Sequence, residues 1–248
     1  MTAGLPRRVR ADLLLVERGL FESRARAQAA IAAGLVSADG VVLRKASETI
    51  AATAEIAAQA PHPYVSRGGV KLAAALDAFG FEPRGLVCLD VGASTGGFSD
   101  VLLRRGAAHV HAIDVGQSQL HASLQGHPRL TSLEGQDIRT LDPQGFASPP
   151  TLAVIDVSFI SLHLVLPAVA KLLAPRARLV ALVKPQFETK RSALKKGVLR
   201  DEVLQQQICA EIADAAAGLG FTVRGVIPSP IAGGDGNREF LLGAERDR

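Results

Sequence analysis

The chain has 248 residues, of which 48% are apolar, 21% charged and 4% aromatic. This apolar content excludes a wholly disordered protein, and the length allows one large domain or a large and a small one. The formal net charge is +4, and the two cysteines, Cys88 and Cys209, cannot by themselves form a disulfide framework or a four-ligand zinc site. We therefore expect buried thiols in a reducing compartment and no metal.

The positive charge is concentrated at the beginning of the chain. Residues 1–45 contain eight basic and four acidic side chains, which account for the whole net charge of +4. An excess confined to one short segment favours a polyanion-binding module attached to a neutral body. A basic surface that only contacts solvent is the alternative.

No segment has the features of a secretory signal or a membrane-spanning helix. The most apolar stretches, 165–173 and 179–183, are short, and Pro167, Lys171 and Lys184 break or end them. We therefore expect a soluble, cytoplasmic protein without a membrane partner.

The basic segment predicts two short helices and a hairpin. The first helix covers 10–18, and Ser23 is a good N-cap for a second helix over 24–33. Asp39-Gly40 is a typical hairpin turn between the short strands that follow. The prolines of Pro61-His62-Pro63 block both helix and sheet and indicate a linker.

The motifs of this segment resemble the small αL RNA-binding domain, in which two helices and a hairpin present basic residues to structured RNA. The resemblance rests on the run from Arg10 to Leu20, on Ser23-Arg24-Ala25-Arg26-Ala27-Gln28 and on the Asp39-Gly40 turn. It implies an RNA-binding domain over 1–60 and a linker over 61–66. The residues expected to contact RNA phosphates are Arg10, Arg24, Arg26, Arg44 and Lys45.

Strands and helices alternate in the remainder, 67–248. The predicted strands are 86–90, 109–114, 130–134, 151–156, 178–184, 221–227 and 239–243, and the main helices between them are 97–105, 160–173 and 201–219. This alternation predicts an α/β fold with a doubly wound, mostly parallel seven-stranded sheet. Ligands bind such sheets at the carboxyl ends of the strands, where Asp90, Asp114, Asp156 and Lys184 are found.

A glycine-rich turn, Asp90-Val91-Gly92-Ala93-Ser94-Thr95-Gly96-Gly97-Phe98, follows the first of these strands. It is not the dinucleotide motif G-x-G-x-x-G, because Ser94 stands at the second glycine, and no Gly-Lys-Ser/Thr of a P-loop follows. The small residues favour a cofactor without a pyrophosphate that packs closely on the backbone. Asp114 is placed to accept hydrogen bonds from ribose hydroxyls, and Asp137 from an adenine amino group.

Together these features resemble the S-adenosylmethionine site of the Rossmann-like class I methyltransferases. Acidic residues around a sulfonium cofactor are electrostatically favourable. The resemblance implies cofactor contacts by Asp90, Gly92, Ser94, Gly96, Gly97, Phe98, Asp114 and Asp137.

Four further residues, Lys71, Asp156, Lys184 and Glu239, resemble the Lys-Asp-Lys-Glu tetrad of FtsJ-type RNA ribose 2′-O-methyltransferases. The order of an αL module and an FtsJ-like domain resembles the TlyA family, often labelled haemolysin A. The motifs Ser66-Arg67-Gly68-Gly69-Val70-Lys71-Leu72 and Val183-Lys184-Pro185-Gln186-Phe187-Glu188 carry this likeness. It implies methylation of ribosomal RNA, free or in ribosomal subunits.

The chemistry explains the tetrad. A ribose 2′-hydroxyl is a poor nucleophile that must lose its proton, and a lysine accepts a proton only as the neutral amine, which desolvation or a like charge favours. We expect Lys184 to accept the proton or to steer the hydroxyl, and Lys71 to be its helper, with Asp156 and Glu239 orienting the ammonium groups. Structural ion pairs at the rim of the sheet are the alternative for the four residues. A non-catalytic ribosome-assembly protein and a membrane-active haemolysin are alternatives for the whole chain.

The segment 184–200 contains six basic residues and one acidic residue. Because it follows a strand whose end faces the site, we expect a loop that closes over RNA, with Lys195 and Lys196 contacting phosphates. A solvated loop is the alternative. One tyrosine and no tryptophan argue against a broad base-stacking surface and favour recognition of folded RNA by shape and phosphate.

Overall fold

The structure, a computed structural model, describes residues 7–233 and 236–247. It divides the chain into two compact units, Met1–Pro63 and Tyr64–Arg248. The division lies inside the predicted linker, 61–66. The RNA-binding role of the first unit stays a prediction.

Over residues 7–63, the first unit contains two helices and five short strands. The helices are α1 (Ala11–Glu17) and α2 (Arg24–Ala32), and the strands are β1 (Arg8–Arg10), β2 (Val36–Ala38), β3 (Val41–Val42), β4 (Thr49–Ala51) and β5 (Ile56–Ala58). β2 pairs antiparallel with both β3 and β5, and β1 with β4. Leu14, Leu15 and Ile31 are buried where the helices pack together.

The local signals of the sequence explain most of this unit. The Ser23 hydroxyl accepts a hydrogen bond from the N–H of Arg26 at 3.3 Å, so the predicted N-cap is confirmed. Asp39 and Gly40 have φ of +50° and +77°, as a tight hairpin turn requires. The three-residue strands β1, β4 and β5 were not predicted, because segments this short show no alternation to read.

The second unit is a three-layer α/β sandwich. Its helices are α3 (Gly68–Phe79), α4 (Gly97–Arg104), α5 (Leu162–Leu172), α6 (Pro185–Glu188) and α7 (Glu202–Gly218). Its strands are β6 (Val87–Val91), β7 (His109–Asp114), β8 (Leu130–Glu134), β9 (Leu152–Ile155), β10 (Arg176–Val183), β11 (Thr222–Pro228) and β12 (Phe240–Asp247).

The seven strands form one sheet in the order β11-β12-β10-β9-β6-β7-β8. β12 runs antiparallel to β10 and β11, and the pairs among β6 to β10 are parallel, which confirms the predicted sheet. β12 continues to Asp247, beyond the predicted end at 243, because it pairs with β10 along its whole length, from Phe240 to Asp247. Glu239 therefore lies just before this strand.

Apolar side chains project from both faces of the sheet and pack against helices. On one face, residues such as Leu89 and Ile155 pack against α5 and α7. On the other, Cys88 and Val154 pack against α3 and α4. Burial raises the pKa of the Cys88 thiol to about 12, so this cysteine is an unreactive part of the core.

The strand order of the sheet determines where a ligand crevice lies. From β6 the chain proceeds to β7 and β8 on one side, whereas β9 and β10 lie on the other. The carboxyl ends of β6 and β9 therefore flank the switch point, where open α/β sheets form a ligand crevice. Within 7–233 and 236–247, no helix combines the length and the apolar character needed to cross a bilayer.

Candidate cofactor and catalytic site

The glycine-rich turn after β6 has a backbone that few residues can adopt. Gly92, Ser94 and Gly96 have φ of +81°, +46° and +86°. A Cβ at Gly92 would collide with the carbonyl oxygen of Asp156, so only glycine lets the ends of β6 and β9 approach this closely. Ser94 is held in its left-handed conformation by a hydrogen bond from its N–H to Asp114 Oδ2 at 2.7 Å.

A cavity of about 590 Å³ opens at the carboxyl ends of β6, β7 and β9. Four of the predicted cofactor residues line it: Gly92, Ser94, Asp114 and Asp137. Its apolar wall includes Ile113, Val115, Val157 and Ile160. This mixture of apolar surface and a few polar groups is typical of a small-molecule site.

Asp114 and Asp137, the two predicted cofactor acids at the larger cavity, are held by different partners. Asp114 accepts hydrogen bonds from the N–H groups of Ser94 and Gly116, both at 2.7 Å. Asp137 pairs with the guanidinium of Arg139 at 2.6 Å and also accepts from its backbone N–H. These bonds lower the pKa of Asp137 to about 2, so its carboxylate is an ionised acceptor at neutral pH. The sequence did not reveal the partnership with Arg139.

A second cavity, of about 200 Å³, adjoins the first. Both are lined by Gly92, Ser94, Asp156 and Ser158. The smaller one is also lined by Ser66, Gly68, Lys71, Gly97, Phe98 and Lys184. Gly97 and Phe98, predicted as cofactor contacts, therefore lie beside the two lysines instead of in the larger cavity.

The predicted tetrad forms two ion pairs at this smaller cavity. Lys71 Nζ lies 2.5 Å from Glu239 Oε2, and Lys184 Nζ lies 2.6 Å from Asp156 Oδ1. Both lysine side chains are 11% exposed, and Glu239 is 4% exposed. Each buried lysine thus has a carboxylate that compensates its positive charge.

Ser158 is a neighbour that the sequence reasoning missed. Its hydroxyl oxygen accepts a hydrogen bond from Lys184 Nζ at 2.8 Å. Ser158 follows Asp156 by two residues, just beyond the end of β9. A polar residue so close to a predicted site acid was the signal in the sequence that could have identified it. Lys184 is consequently held by two groups from the same loop.

Phe159, next along this loop, was also missed. Its side chain is 91% exposed although it is aromatic, and it lines the larger cavity. Its φ of +63° is rare for a bulky residue. The rings of Phe159 and Phe187 are 4.9 Å apart, which places an aromatic pair beside Lys184.

Two predicted cofactor residues do not reach either cavity. Asp90 is fully buried beneath the turn, where it accepts a hydrogen bond from Ser99 Oγ at 2.7 Å. Burial, more than the charges of Asp156 and Asp114, raises the pKa of Asp90 to about 7. Gly96 lies against the side chains of Leu120 and Leu124. Asp90 is directed into the core by strand β6, whereas Gly96 lies at the N-cap of α4.

The predicted RNA contacts lie on both units. In the first unit, Arg10 and Arg24 both bond Asp12, at 3.0 and 2.9 Å, and Arg26 lies 3.6 Å from Glu22. Arg44 and Lys45 are exposed, and their backbone N–H groups bond Glu48. In the second unit, Lys195 and Lys196 are exposed in a turn. Among the described residues, no cluster of His, Cys, Asp and Glu could hold a metal ion.

The strand order, the antiparallel β12 and the glycine-rich turn beneath a crevice define a Rossmann-like methyltransferase. A family model of the FtsJ-like methyltransferases matches residues 64–246. A relative from Mycobacterium tuberculosis, named 16S/23S rRNA (cytidine-2′-O)-methyltransferase TlyA, is 43% identical over 96% of this chain and 90% of its own length. The chain belongs to the FtsJ-like methyltransferases and, among them, to the TlyA family.

Two solved structures support this fold. The structure named "Putative hemolysin from Streptococcus thermophilus" is 42% identical, covers 96% of this chain and 88% of its own, and superposes with a TM-score of 0.76. Magnesium protoporphyrin IX methyltransferase from Synechocystis, solved with bound SAH, covers 73% of this chain and 82% of its own. It is 20% identical with a TM-score of 0.51, so it shows the fold alone. The predicted fold class and family are confirmed, and S-adenosylmethionine is the cofactor consistent with them.

Proposed function

We propose that this protein transfers a methyl group from S-adenosylmethionine to a ribose 2′-hydroxyl of ribosomal RNA. The observation that carries the proposal is the pair of buried lysines, Lys71 and Lys184, which line one small cavity with their carboxylate partners at 2.5 and 2.6 Å. A cavity suited to the cofactor adjoins it. The name of the Mycobacterium tuberculosis relative supports ribosomal RNA as the substrate.

The polar groups of the larger cavity fit the cofactor. A carboxylate oxygen can accept more than one hydrogen bond, so Asp114 retains acceptor capacity for ribose hydroxyls beside its bonds from Ser94 and Gly116. Asp137 would accept from the adenine amino group, and Gly92 would allow close approach to the backbone. When bound, S-adenosylmethionine supplies an electrophilic methyl group on a sulfonium ion, and the acidic wall favours that positive charge.

Lys184 is the proposed base. Lys184 lines the smaller cavity, and Asp156 and Ser158, the groups that hold its Nζ, line both cavities. Because the carboxylate of Asp156 favours the ammonium form, Lys184 would first have to release its own proton to solvent. As the neutral amine it would then accept the proton of the 2′-hydroxyl while the hydroxyl oxygen attacks the methyl group of the cofactor. Lys71, held by Glu239, would donate a hydrogen bond to the same ribose and orient it.

The first unit and the turn at Lys195–Lys196 would supply RNA affinity. Arg10, Arg24 and Arg26 expose part of their side chains on one compact unit, and Lys195 and Lys196 are exposed in the segment that follows β10 and α6. Contacts of this kind neutralise phosphates and depend strongly on salt. They would position the RNA without reading its sequence.

The test supplies labelled S-adenosylmethionine with ribosomal subunits from a strain that lacks this protein. We expect label in the ribose of ribosomal RNA with the native protein and about 10²–10⁴-fold slower transfer with Lys184→Met, since that is the usual range of a general base. Lys171→Met, an exposed position on α5, is the matched control and should transfer at the native rate. Cofactor affinity, measured by calorimetry, should be the same in all three proteins.

The outcomes separate the competing functions. Transfer at the native rate by Lys184→Met would refute the assignment of the base. Bound cofactor without label in any RNA would favour a non-catalytic RNA-binding protein. Leakage of liposomes at low protein concentration would favour the membrane-active function that the hemolysin name of the streptococcal relative suggests.

A further inference from the structure

Asp12, in the first turn of α1, is a fully buried carboxylate with an unusual number of partners. Its two oxygens accept hydrogen bonds from Arg10 Nε and Nη2, both at 3.0 Å, from Arg24 Nη2 at 2.9 Å and from Gln28 Nε2 at 2.8 Å. These bonds hold the pKa of Asp12 far below its usual range, with the bond from Arg10 the largest cause. The carboxylate is therefore ionised at neutral pH.

The two arginines, in contrast, extend to the surface. The side chains of Arg10 and Arg24 are 44% and 53% exposed, although each bonds a carboxylate that solvent does not reach. Each guanidinium bonds Asp12 through Nε and Nη2, and no contact among the described residues engages its Nη1. The outer N–H groups remain available to an external acceptor.

The charge balance of this cluster is positive. One carboxylate faces two guanidinium groups, and Gln28 adds a bond without adding charge. Arg24 also lies in the first turn of α2, where the partial positive charge of the helix terminus disfavours a cation. An arrangement that served stability alone would not place a second guanidinium there, whereas an anionic ligand would benefit from both.

We propose that Asp12 is a positioning residue that holds Arg10 and Arg24 as a preorganised two-arginine clamp for the phosphates of an RNA backbone. The proposal rests on the proposed RNA binding by the first unit. Two long side chains lose conformational entropy when they bind a ligand, and a shared buried carboxylate removes much of that cost before binding. Phosphate is the fitting ligand because the planar guanidinium donates to its oxygens in pairs.

The direction in which Asp12→Asn changes RNA affinity distinguishes a positioning role of Asp12 from an effect of net charge alone. Asp12→Asn makes the protein more positive by one unit, so attraction to phosphates alone predicts tighter RNA binding. If Asp12 acts by placing the arginines, the same substitution weakens binding despite the added charge. We expect the dissociation constant for isolated ribosomal subunits, measured with the full chain at fixed salt, to rise about tenfold, an effect near that of fixing one or two side chains.

A double-mutant cycle gives a readout that a general loss of structure would not produce. The Asp12→Asn effect on binding should disappear in the Arg10→Ala, Arg24→Ala background, because no arginines remain to be placed. In methyl-transfer assays, Asp12→Asn should raise KM for the subunit and leave kcat unchanged. Tighter or unchanged binding by Asp12→Asn, or an equal effect in the double-alanine background, would overturn the proposal.

A charge-conserving variant covers the case in which Asp12→Asn does not fold. Arg10→Lys with Arg24→Lys keeps both charges but removes the planar, paired donors, so we expect weaker binding, and native affinity would refute the clamp. Failure of the underlying function is distinguishable. If the double-alanine variant itself binds subunits with native affinity, the first unit does not bind RNA through these residues, whatever Asp12 does.

Discussion

The carboxylate of Glu188 accepts a hydrogen bond from Ser161 Oγ at 2.5 Å, which joins the segment after β10 to the segment after β9. The other oxygen of Glu188 accepts from the N–H of Leu162 at 2.8 Å, at the beginning of α5. The same two segments carry Lys184 and Asp156, whose ion pair joins them a second time. The segments that follow β9 and β10 are therefore connected at two places, by Glu188 and by the ion pair of Lys184 with Asp156.

Removing this connection should affect catalysis more than cofactor binding. We expect Glu188→Ala to lower kcat about tenfold, because a hydrogen bond to a charged group contributes about 1.5–3 kcal/mol and its loss frees the segment that holds Lys184. Single-turnover methyl transfer measures the effect, and calorimetry should show native cofactor affinity. Asp214→Ala, at an exposed position on α7, is the control. Equal kcat in Glu188→Ala and the native enzyme would contradict this role.

Gly92 should not tolerate even one added methyl group. We expect Gly92→Ala to lower the free energy of unfolding by at least about 1–2 kcal/mol, the cost of a left-handed backbone for an L-residue, with the collision at the Asp156 carbonyl in addition. Cofactor binding should weaken as well. Thermal unfolding and calorimetry measure the two effects. Gly145→Ala, where a Cβ would meet nothing within 4 Å, should match the native protein.

Asp90 should make stability depend on pH. Its pKa is about 7 in the folded protein, against about 4 in an unfolded chain, so between these values only the folded state holds the proton. The free energy of unfolding therefore falls as the pH rises from about 4 to 7, and the contribution is constant outside that window. We expect Asp90→Asn to flatten this part of the profile.

Thermal unfolding across that pH range tests the assignment. Asp214→Asn, at an exposed position on α7, is the matched control and should keep the native profile. A profile for Asp90→Asn that is as steep as the native one would show that another group causes the dependence.

Phe159 should contribute to the binding of RNA rather than to the stability of the fold. A ring that is 91% exposed at the edge of the larger cavity is available to stack on a base, and such stacking contributes about 1–3 kcal/mol. We expect Phe159→Ala to lower kcat/KM for the ribosomal substrate by about 5–150-fold, while the unfolding temperature stays within error. Val203→Ala, an exposed apolar residue on α7, should leave both quantities unchanged. A lower unfolding temperature with native kcat/KM would contradict this expectation.

Much of the fold follows from local sequence signals. β7 and β8 lie at the predicted residues, and Ser23 caps α2 as expected, because a strand pattern or a cap involves neighbours along the chain. The glycine-rich turn was recognisable for the same reason. The termini of β12 could not be recognised from the sequence, because the length of this strand depends on its pairing with β10, which is far away along the chain.

The sequence by itself determined the alternation of strands and helices and the basic character of the first unit, and it predicts the four tetrad residues. Only the tertiary structure decided which partners those residues have. Lys71 meets Glu239 across 168 positions of the chain, and Asp90 is directed into the core although it ends a strand like Asp156. Burial and ion pairing depend on which distant segments pack together, and the local hydrophobic periodicity of the sequence does not indicate which segments these are.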